Sequence, residues 1–248
     1  GVIEFRNVCF AYPQSKNEEL TDISFSVSPG ETIALVGHSG SGKTTLARVI
    51  LRLSSPTAGT VLFDDVPIFS LNKQEMRKMR KRMQIIFQDP YASLNPRLKV
   101  MDIITEPMAF KAAALGKAEK RKKAMELLKR VGLGAEHVNR YPHQFSGGQR
   151  QRIGIARALS VEPELVIADE PVSALDVSIQ AQILNLMMDL KDEFGFSYLF
   201  ITHDLSVVRH ISDRMGVMYL GFLVETGPSD EVFLSPRHPY TRALLLAV

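Results

Sequence analysis

One eight-residue segment combines three glycines with a lysine and a hydroxyl residue. Its sequence, Gly37-His38-Ser39-Gly40-Ser41-Gly42-Lys43-Thr44, matches the phosphate-loop pattern G-x-x-x-x-G-K-[ST] in full. Glycines permit backbone turns that point several N–H groups at one anion, and a following helix presents its positive end to the same anion. In such a loop the Lys43 ammonium reaches the β- and γ-phosphates of a nucleotide, and the Thr44 hydroxyl binds Mg²⁺. A glycine turn that matches by chance is the alternative, and the elements predicted on either side argue against it.

Two carboxylates, Asp169 and Glu170, directly follow the apolar run Leu165–Ala168. A strand of a parallel sheet is apolar on both faces, so its charged groups collect at its carboxyl end. Asp169 is therefore placed to hold a metal ion, directly or through water, and Glu170 is placed to polarise an attacking water. Alone, the pair fits an ordinary solvated strand end equally well. The phosphate loop in the same chain favours the catalytic interpretation.

Two further segments carry groups that can contact an anion. Ser146-Gly147-Gly148-Gln149 opens a predicted helix, whose N-terminus can bind a phosphate, although the spacing alone favours an ordinary helix cap. His203 follows the apolar run Tyr198–Ile201, and a lone histidine in such a place is usually only a polar strand end. The run is the expected neighbour of the acid-bearing strand, which favours a functional role for His203. The other five histidines lack metal-ligand spacing.

Strand and helix patterns alternate around these residues. Thr32–Val36 is an apolar strand directly before the loop, and Thr44–Leu53 has helical character directly after it. Residues 89–163 carry turn and helix patterns only, which indicates an inserted helical lobe. The other predicted strands are Val2–Phe10, Ile23–Val27, Thr60–Phe63, Met83–Phe87, Leu165–Ala168, Tyr198–Ile201 and a hairpin of Val217–Leu220 with Phe222–Glu225. The other predicted helices are Asn72–Arg82, Glu119–Val131, Ser146–Leu159 and Val177–Phe194, with a last helix in the tail.

The order of these motifs resembles that of the ATPases of ABC transporters, over nearly the whole chain. The motifs are the phosphate loop, Gln88, Phe145–Gln149, the acid pair, Ser173–Asp176 and Thr202–Asp204. Phe145 stands where leucine is commonest in that family. The resemblance implies an α/β fold, with a P-loop NTPase (RecA-like) core, an N-terminal antiparallel β-subdomain and an inserted helical subdomain. The implied boundaries are 1–88 and 164–227 for the ATP-binding core with its β-subdomain, 89–163 for the helical signature subdomain and 228–248 for the tail.

The resemblance also implies ATP and Mg²⁺ as ligands. It gives catalytic roles to Glu170, His203 and Lys43, and metal contacts to Thr44, Gln88 and Asp169. Tyr12 occupies the position of the aromatic residue that stacks on adenine, with a plain strand-end tyrosine as the alternative. The full implied nucleotide-binding set is Tyr12, Gly37, His38, Ser39, Gly40, Ser41, Gly42, Lys43, Thr44, Thr45, Gln88, Ser146, Gly147, Gly148, Gln149 and Asp176.

The resemblance further implies that two such domains pair head to tail. The segment 146–149 of one domain then closes over the ATP of the other, with Asp176 at the seam. The implied partners are that second ATPase domain, identical or different, the membrane permease subunits that contact 89–163, and indirectly a solute-binding protein. No nucleic-acid partner is expected. In the helical lobe, Tyr91–Val100 is expected to form the groove for a permease helix, and changes at Leu94 or Arg97 are expected to spare ATP binding.

Two segments resemble one branch of the family, the ATPases of oligopeptide, dipeptide, nickel and glutathione importers. They are Phe87–Pro96 and the tail segment His238–Arg242. The opening segment, residues 1–8, would also suit the ATPase half of an exporter. A soluble non-transport ATPase of the family is a further alternative, but the chain shows neither a coiled-coil insert nor tandem motifs. A degenerate regulatory module is disfavoured because Lys43, Asp169, Glu170 and His203 are all present.

Bulk composition is compatible with this interpretation. The 248 residues are 45% hydrophobic and carry a net charge of +3, which does not demand a nucleic-acid partner. Residues 111–130 hold eight Lys or Arg and two Glu, which we interpret as a solvated helix face with a docking or lipid contact as the alternative.

Cys9 is the sole cysteine, as expected in a reducing compartment. No apolar run approaches the roughly 20 residues that span a bilayer, and we expect no signal peptide. We therefore expect a peripheral protein at the cytoplasmic face of a bacterial inner membrane. The start at Gly1 suggests a piece of a longer chain.

Overall fold

The computed structural model of the protein describes residues 3–13, 18–108 and 116–246. An antiparallel sheet at the N-terminal side has the strand order β2-β1-β4-β5. Buried and exposed residues alternate along β1 and β2, so one face of each strand packs inward, and Phe5 stacks on Phe25 at 4.5 Å. The strands of this sheet are β1 (Ile3–Phe10), β2 (Leu20–Val27), β4 (Ala58–Phe63) and β5 (Val66–Pro67).

A second sheet of six strands has the order β10-β9-β3-β8-β7-β6, and it is parallel except for β10. Its strands are β3 (Thr32–Val36), β6 (Met83–Ile86), β7 (Leu165–Asp169), β8 (Ser197–Thr202), β9 (Arg214–Tyr219) and β10 (Phe222–Pro228). Every residue of β3, β7 and β8 is buried, which explains their continuous apolar runs. Val36 pairs with Thr202, and Asp169 pairs with Ile201. The phosphate loop, the acid pair and His203 therefore leave the sheet at one edge.

Helices flank the strands along the chain, including several between residues 89 and 163. They are α1 (Lys43–Ile50), α2 (Lys73–Arg82), α3 (Val100–Thr105), α4 (Lys117–Arg130), α5 (Gly147–Leu159), α6 (Val177–Phe194), α7 (Leu205–Ile211), α8 (Ser229–Leu234) and α9 (Pro239–Leu246). Short 3-10 turns occur at Glu106–Met108, Ala135–Asn139 and Pro142–Gln144. The buried faces of α3, α4 and α5 share one apolar cluster that also includes Phe145 and Leu94. No helix in the part of the chain that the structure describes is long and apolar enough to span a bilayer.

Local sequence signals account for several element ends. Asn72 and Glu75 form a capping box at the start of α2, and α6 ends at Gly195 in the left-handed conformation.

The predicted fold class is confirmed, and the predicted hairpin of β9 and β10 turns at Gly221. The helix after the phosphate loop ends at Ile50 and is therefore shorter than predicted. The subdomain boundaries at 88/89 and 163/164 stay predictions. Parts of the first predicted strand, of the basic segment 111–130 and of the tail lie outside the described residues.

Candidate active site

The phosphate loop joins β3 to α1 and is held from behind by the β9–β10 hairpin. A Cβ atom at Gly37 would lie 2.2 Å from the carbonyl oxygen of Met218, and one at Gly42 would lie 2.7 Å from the side chain of Leu20. The Gly221 N–H donates to the Ser41 carbonyl at 3.3 Å. The two loop glycines are therefore required by close packing as well as by the positive φ of 98° at Gly42.

Lys43 folds back into the loop that it follows. Its ammonium donates to the Gly37 carbonyl at 2.7 Å, to the His38 carbonyl at 2.9 Å and to the Ser41 hydroxyl at 3.2 Å. Only 4% of the residue is exposed. Burial lowers the pKa of Lys43, and the nearby carboxylates of Glu170 and Asp169 partly offset this effect. The loop thus holds the positively charged Lys43 ammonium within its own turn, where an anion would bind.

Asp169 ends β7 next to the first turn of α1. Its Oδ1 atom accepts a hydrogen bond from the Thr44 hydroxyl at 3.1 Å, and the residue is 6% exposed. Burial raises the pKa of Asp169, and the neighbouring Glu170 charge adds to that effect. The Thr44 hydrogen bond and the charges of Lys43 and Arg48 act in the opposite direction. A bound cation would stabilise the ionised form of this buried carboxylate.

The hydroxyl and carboxylate oxygens at this edge suit Mg²⁺ in one particular way. Mg²⁺ is usually bound through one or two carboxylates together with substrate phosphates, and not by a cage made of protein ligands alone. Thr44 and Asp169 supply one hydroxyl and one carboxylate, and Gln88 lines the same cavity. Within the described residues no group of three or more His, Cys, Asp and Glu side chains is arranged so that it could hold a metal ion by itself. The donor set therefore fits Mg²⁺ that arrives with a nucleotide.

Glu170 brings two other predicted residues together. Its Oε2 atom accepts a hydrogen bond from the Gln88 amide at 2.9 Å and lies 3.2 Å from His203 Nδ1. The Glu170 side chain is 12% exposed, whereas that of His203 is 53% exposed. Glu170 has a φ of 47°, a conformation that L-residues adopt rarely and that is often found at functional sites. Its N–H donates to the Ile201 carbonyl at 2.9 Å, so β8 fixes this backbone turn.

Two adjoining cavities connect these groups. One of about 230 Å³ lies over the phosphate loop and is lined by Glu19, Ser39, Gly40, Gly42, Lys43, Thr44, Thr45, Gln88 and Glu170. The other, of about 400 Å³, is lined by Thr44, Arg48, Phe87, Gln88, Asp89, Ala92, Ser93 and Asp169. Thr44 and Gln88 are common to both. Sequence reasoning did not find Glu19 or Arg48, because neither stands in a motif. The fold brings Glu19 to this edge, whereas Arg48 lies about one helical turn after Thr44 on α1.

Other predicted site residues lie outside these two cavities. Ser146 caps α5, with its hydroxyl accepting from the Gln149 N–H at 3.4 Å, so the helix-cap interpretation holds within a single chain. Asp176 precedes α6 and is exposed. Tyr12 packs edge-on against Phe10 with ring centroids 4.9 Å apart, and it is 38% exposed. Contacts of these residues with a nucleotide stay predictions.

Comparison with known proteins places this geometry in one family. Residues 20–173 match the ABC transporter family. The oligopeptide transport ATP-binding protein OppF of Bacillus subtilis is 55% identical over 240 residues, which cover 96% of this chain and 79% of OppF. The dipeptide transport ATP-binding protein DppF of Escherichia coli is 52% identical over 235 residues, which cover 95% of this chain and 70% of DppF. A dimeric ATP-binding cassette solved in a post-hydrolysis state with ADP and Pi has a TM-score of 0.82 and 32% identity, and the match covers 92% of this chain and 98% of that one.

Proposed function

The chain belongs to the ABC transporter family of ATPases, and we propose that it is the ATP-binding subunit of a bacterial importer for peptides or a related small solute. The relatives named as oligopeptide and dipeptide transport ATP-binding proteins support the peptide class. The segments Phe87–Pro96 and His238–Arg242 support the same branch. The contacts at Glu170 carry the proposal, because they place a carboxylate, an amide and an imidazole beside the phosphate loop.

We propose that the phosphate loop binds the nucleotide as Mg-ATP. In this proposal the loop N–H groups and the start of α1 surround the β-phosphate, and the Lys43 ammonium turns from its carbonyl partners toward the β- and γ-phosphates. Thr44, Asp169 and Gln88 hold Mg²⁺, which neutralises phosphate charge when bound. Tyr12 packs on the adenine ring. Burial lowers the pKa of Lys43 and raises the pKa of Asp169, so an anion bound beside Lys43 and a cation bound beside Asp169 would each favour the charged form.

Hydrolysis in this proposal depends on Glu170. Its carboxylate orients and polarises a water for attack on the γ-phosphate and accepts the proton from that water. The Gln88 amide donates to the Oε2 atom of this carboxylate, and the His203 ring lies 3.2 Å from the same oxygen. His203 then donates a hydrogen bond to the γ-phosphate. The hydrogen bond from the Glu170 N–H to β8 fixes the backbone from which this carboxylate projects.

The partners in this proposal complete the site and use its energy. A second ATPase domain supplies its segment 146–149 to the exposed side of the bound ATP, and Asp176 lies at the seam. The exposed helix start at Ser146 and the dimeric state of the related cassette support this arrangement. Permease subunits contact the lobe 89–163 at the cytoplasmic face of the membrane, and a solute-binding protein delivers the solute to them. ATP binds the closed dimer more tightly than the open one, so binding and hydrolysis drive the permease between two states.

The test is peptide uptake by bacterial cells that lack their own copy of this subunit. Wild type and Asp189→Asn, a control at an exposed position of α6 outside the lobe 89–163, are expected to restore uptake of a labelled peptide. Glu170→Gln is expected to restore none, because loss of the general base slows hydrolysis by about 10²- to 10⁴-fold. Restored uptake with Glu170→Gln would contradict the role of Glu170. Restored growth on another solute without peptide uptake would contradict the peptide class.

A further inference from the structure

The tail of the chain reaches the phosphate loop through one hydroxyl group. The His38 N–H donates a hydrogen bond to the Tyr240 hydroxyl oxygen at 3.1 Å, across 202 residues of sequence. The two side-chain rings also meet edge to face, with centroids 5.9 Å apart. His38 is the second residue of the loop, and its N–H points toward the tail at the rear. Tyr240, which belongs to the segment that resembles the importer branch, therefore contacts the phosphate loop directly.

The tail is docked firmly enough to transmit such a contact. The Glu225 carboxylate on β10 accepts the N–H groups of Arg237 at 2.8 Å and of His238 at 3.0 Å, which fixes the start of α9. Leu244 is 8% exposed and packs in an apolar cluster with Val36, the residue directly before the loop. The ring of Tyr240 lies 4.2 Å from that of Tyr219 on the β9–β10 hairpin. The hydroxyl of Tyr240 is thus held in place by the packing of its own ring and helix.

The contacted residue is also a partner of Lys43. The His38 carbonyl accepts a hydrogen bond from the Lys43 ammonium at 2.9 Å, while its N–H is held by Tyr240. Movement of this one residue would displace a carbonyl that positions the ammonium. His38 is exposed, so only water would replace the tyrosine if its hydroxyl were absent. A loop without this bond would spend more time in arrangements that do not match a phosphate, and nucleotide binding would then have to order it.

We propose that Tyr240 is a positioning residue for the phosphate loop, through which the docked C-terminal helix α9 sets the affinity of the site for nucleotide. The inference rests on the proposed function, since it concerns the same ATP site. It extends that function by making the affinity for ATP depend on whether α9 is docked. Any event that displaces α9 would weaken nucleotide binding without altering a residue that touches the nucleotide.

The test compares Tyr240→Phe with Tyr219→Phe in the full chain. Both changes remove one hydroxyl from two neighbouring rings that contact each other, but only the first removes the bond to His38. Calorimetric titration with Mg-ATP and with Mg-ADP is expected to give a dissociation constant about two- to tenfold higher for Tyr240→Phe, the range for loss of one hydrogen bond. Tyr219→Phe is expected to bind like wild type. Hydrogen exchange at the His38 amide is expected to be faster in Tyr240→Phe without nucleotide and to slow again when Mg-ATP is bound.

The outcomes separate this inference from the proposed function. Equal affinities and equal His38 exchange in wild type and Tyr240→Phe would overturn the positioning role and leave ATP binding intact. Equal loss of affinity in both variants would also overturn the positioning role, because the effect would then result from altered packing of the two rings. A wild-type chain that binds neither nucleotide would overturn the proposed function itself. Melting temperatures without nucleotide serve as a second measurement, since a merely structural role would lower them and leave the affinity of the folded protein unchanged.

Discussion

His203 Nδ1 lies 3.2 Å from Glu170 Oε2, the same oxygen that accepts a hydrogen bond from the Gln88 amide. The three residues come from the ends of β8, β7 and β6, which are neighbours in the parallel sheet. A change at any one of them therefore alters the position or charge of the carboxylate. In the proposed mechanism these contacts position the Glu170 carboxylate within hydrogen-bond reach of the attacking water.

Lys43→Ala is expected to weaken binding of Mg-ATP by at least about tenfold, because it removes a charge-assisted contact with the phosphates. Lys129→Ala, on an exposed part of α4, is the matched control and is expected to bind like wild type. Thermal shift on addition of Mg-ATP measures the difference, since a ligand that binds only the folded state raises the melting temperature. If Lys43→Ala binds ATP as tightly as wild type does, the assignment of ATP binding to the phosphate loop is wrong.

Asp169→Asn is expected to stabilise the protein when metal and nucleotide are absent. Burial raises the pKa of Asp169 in the folded state above its unfolded value, so the ionised carboxylate costs stability at neutral pH. Asparagine keeps an acceptor for the Thr44 hydroxyl and carries no charge. The gain over wild type should be full at neutral pH. It should shrink as the pH falls through the folded pKa and vanish below the unfolded pKa, where the aspartate is protonated in both states.

Melting curves in EDTA across this acidic-to-neutral range provide the measurement for Asp169→Asn. Asp189→Asn, at an exposed position of α6, is the control and should show no such pH-dependent gain. ATP hydrolysis should be lost in Asp169→Asn although the fold is more stable, as expected where function costs stability. A lower melting temperature than wild type at neutral pH would show that the carboxylate stabilises the empty protein, contrary to this interpretation.

Arg97→Glu is expected to leave ATP hydrolysis by the isolated chain unchanged and to reduce solute uptake by the assembled transporter. Arg97 is exposed in the segment Tyr91–Val100 and lines neither cavity of the site. Leu94 is unsuitable for the same test, because it is 2% exposed and belongs to the apolar cluster of the helical lobe. Leu94→Ala is expected to cost about 2–5 kcal/mol of stability. Normal uptake with Arg97→Glu would contradict a permease contact at Arg97.

Much of the site follows from sequence because its parts are local. The phosphate loop is one continuous segment, and the carboxyl ends of apolar strands predict where Asp169, Glu170 and His203 emerge. The sequence could not predict that Glu170 turns to a positive φ, since that depends on the hydrogen bond of its N–H to β8. The contact between Tyr240 and His38 depends on how α9 docks, and no short-range pattern encodes a meeting across 202 residues. Long-range side-chain contacts of this kind depend on the packed tertiary structure.

The most direct test of the proposed ATPase mechanism is the light-scattering mass of Glu170→Gln with and without Mg-ATP, at tens of micromolar protein. This variant is expected to bind ATP without hydrolysing it, so two chains should remain closed around the nucleotide through segment 146–149 of each partner. The predicted result is one chain, 27.7 kDa, without nucleotide and about twice that mass with Mg-ATP. A variant that binds Mg-ATP and keeps the mass of a single chain would contradict the head-to-tail ATP sandwich.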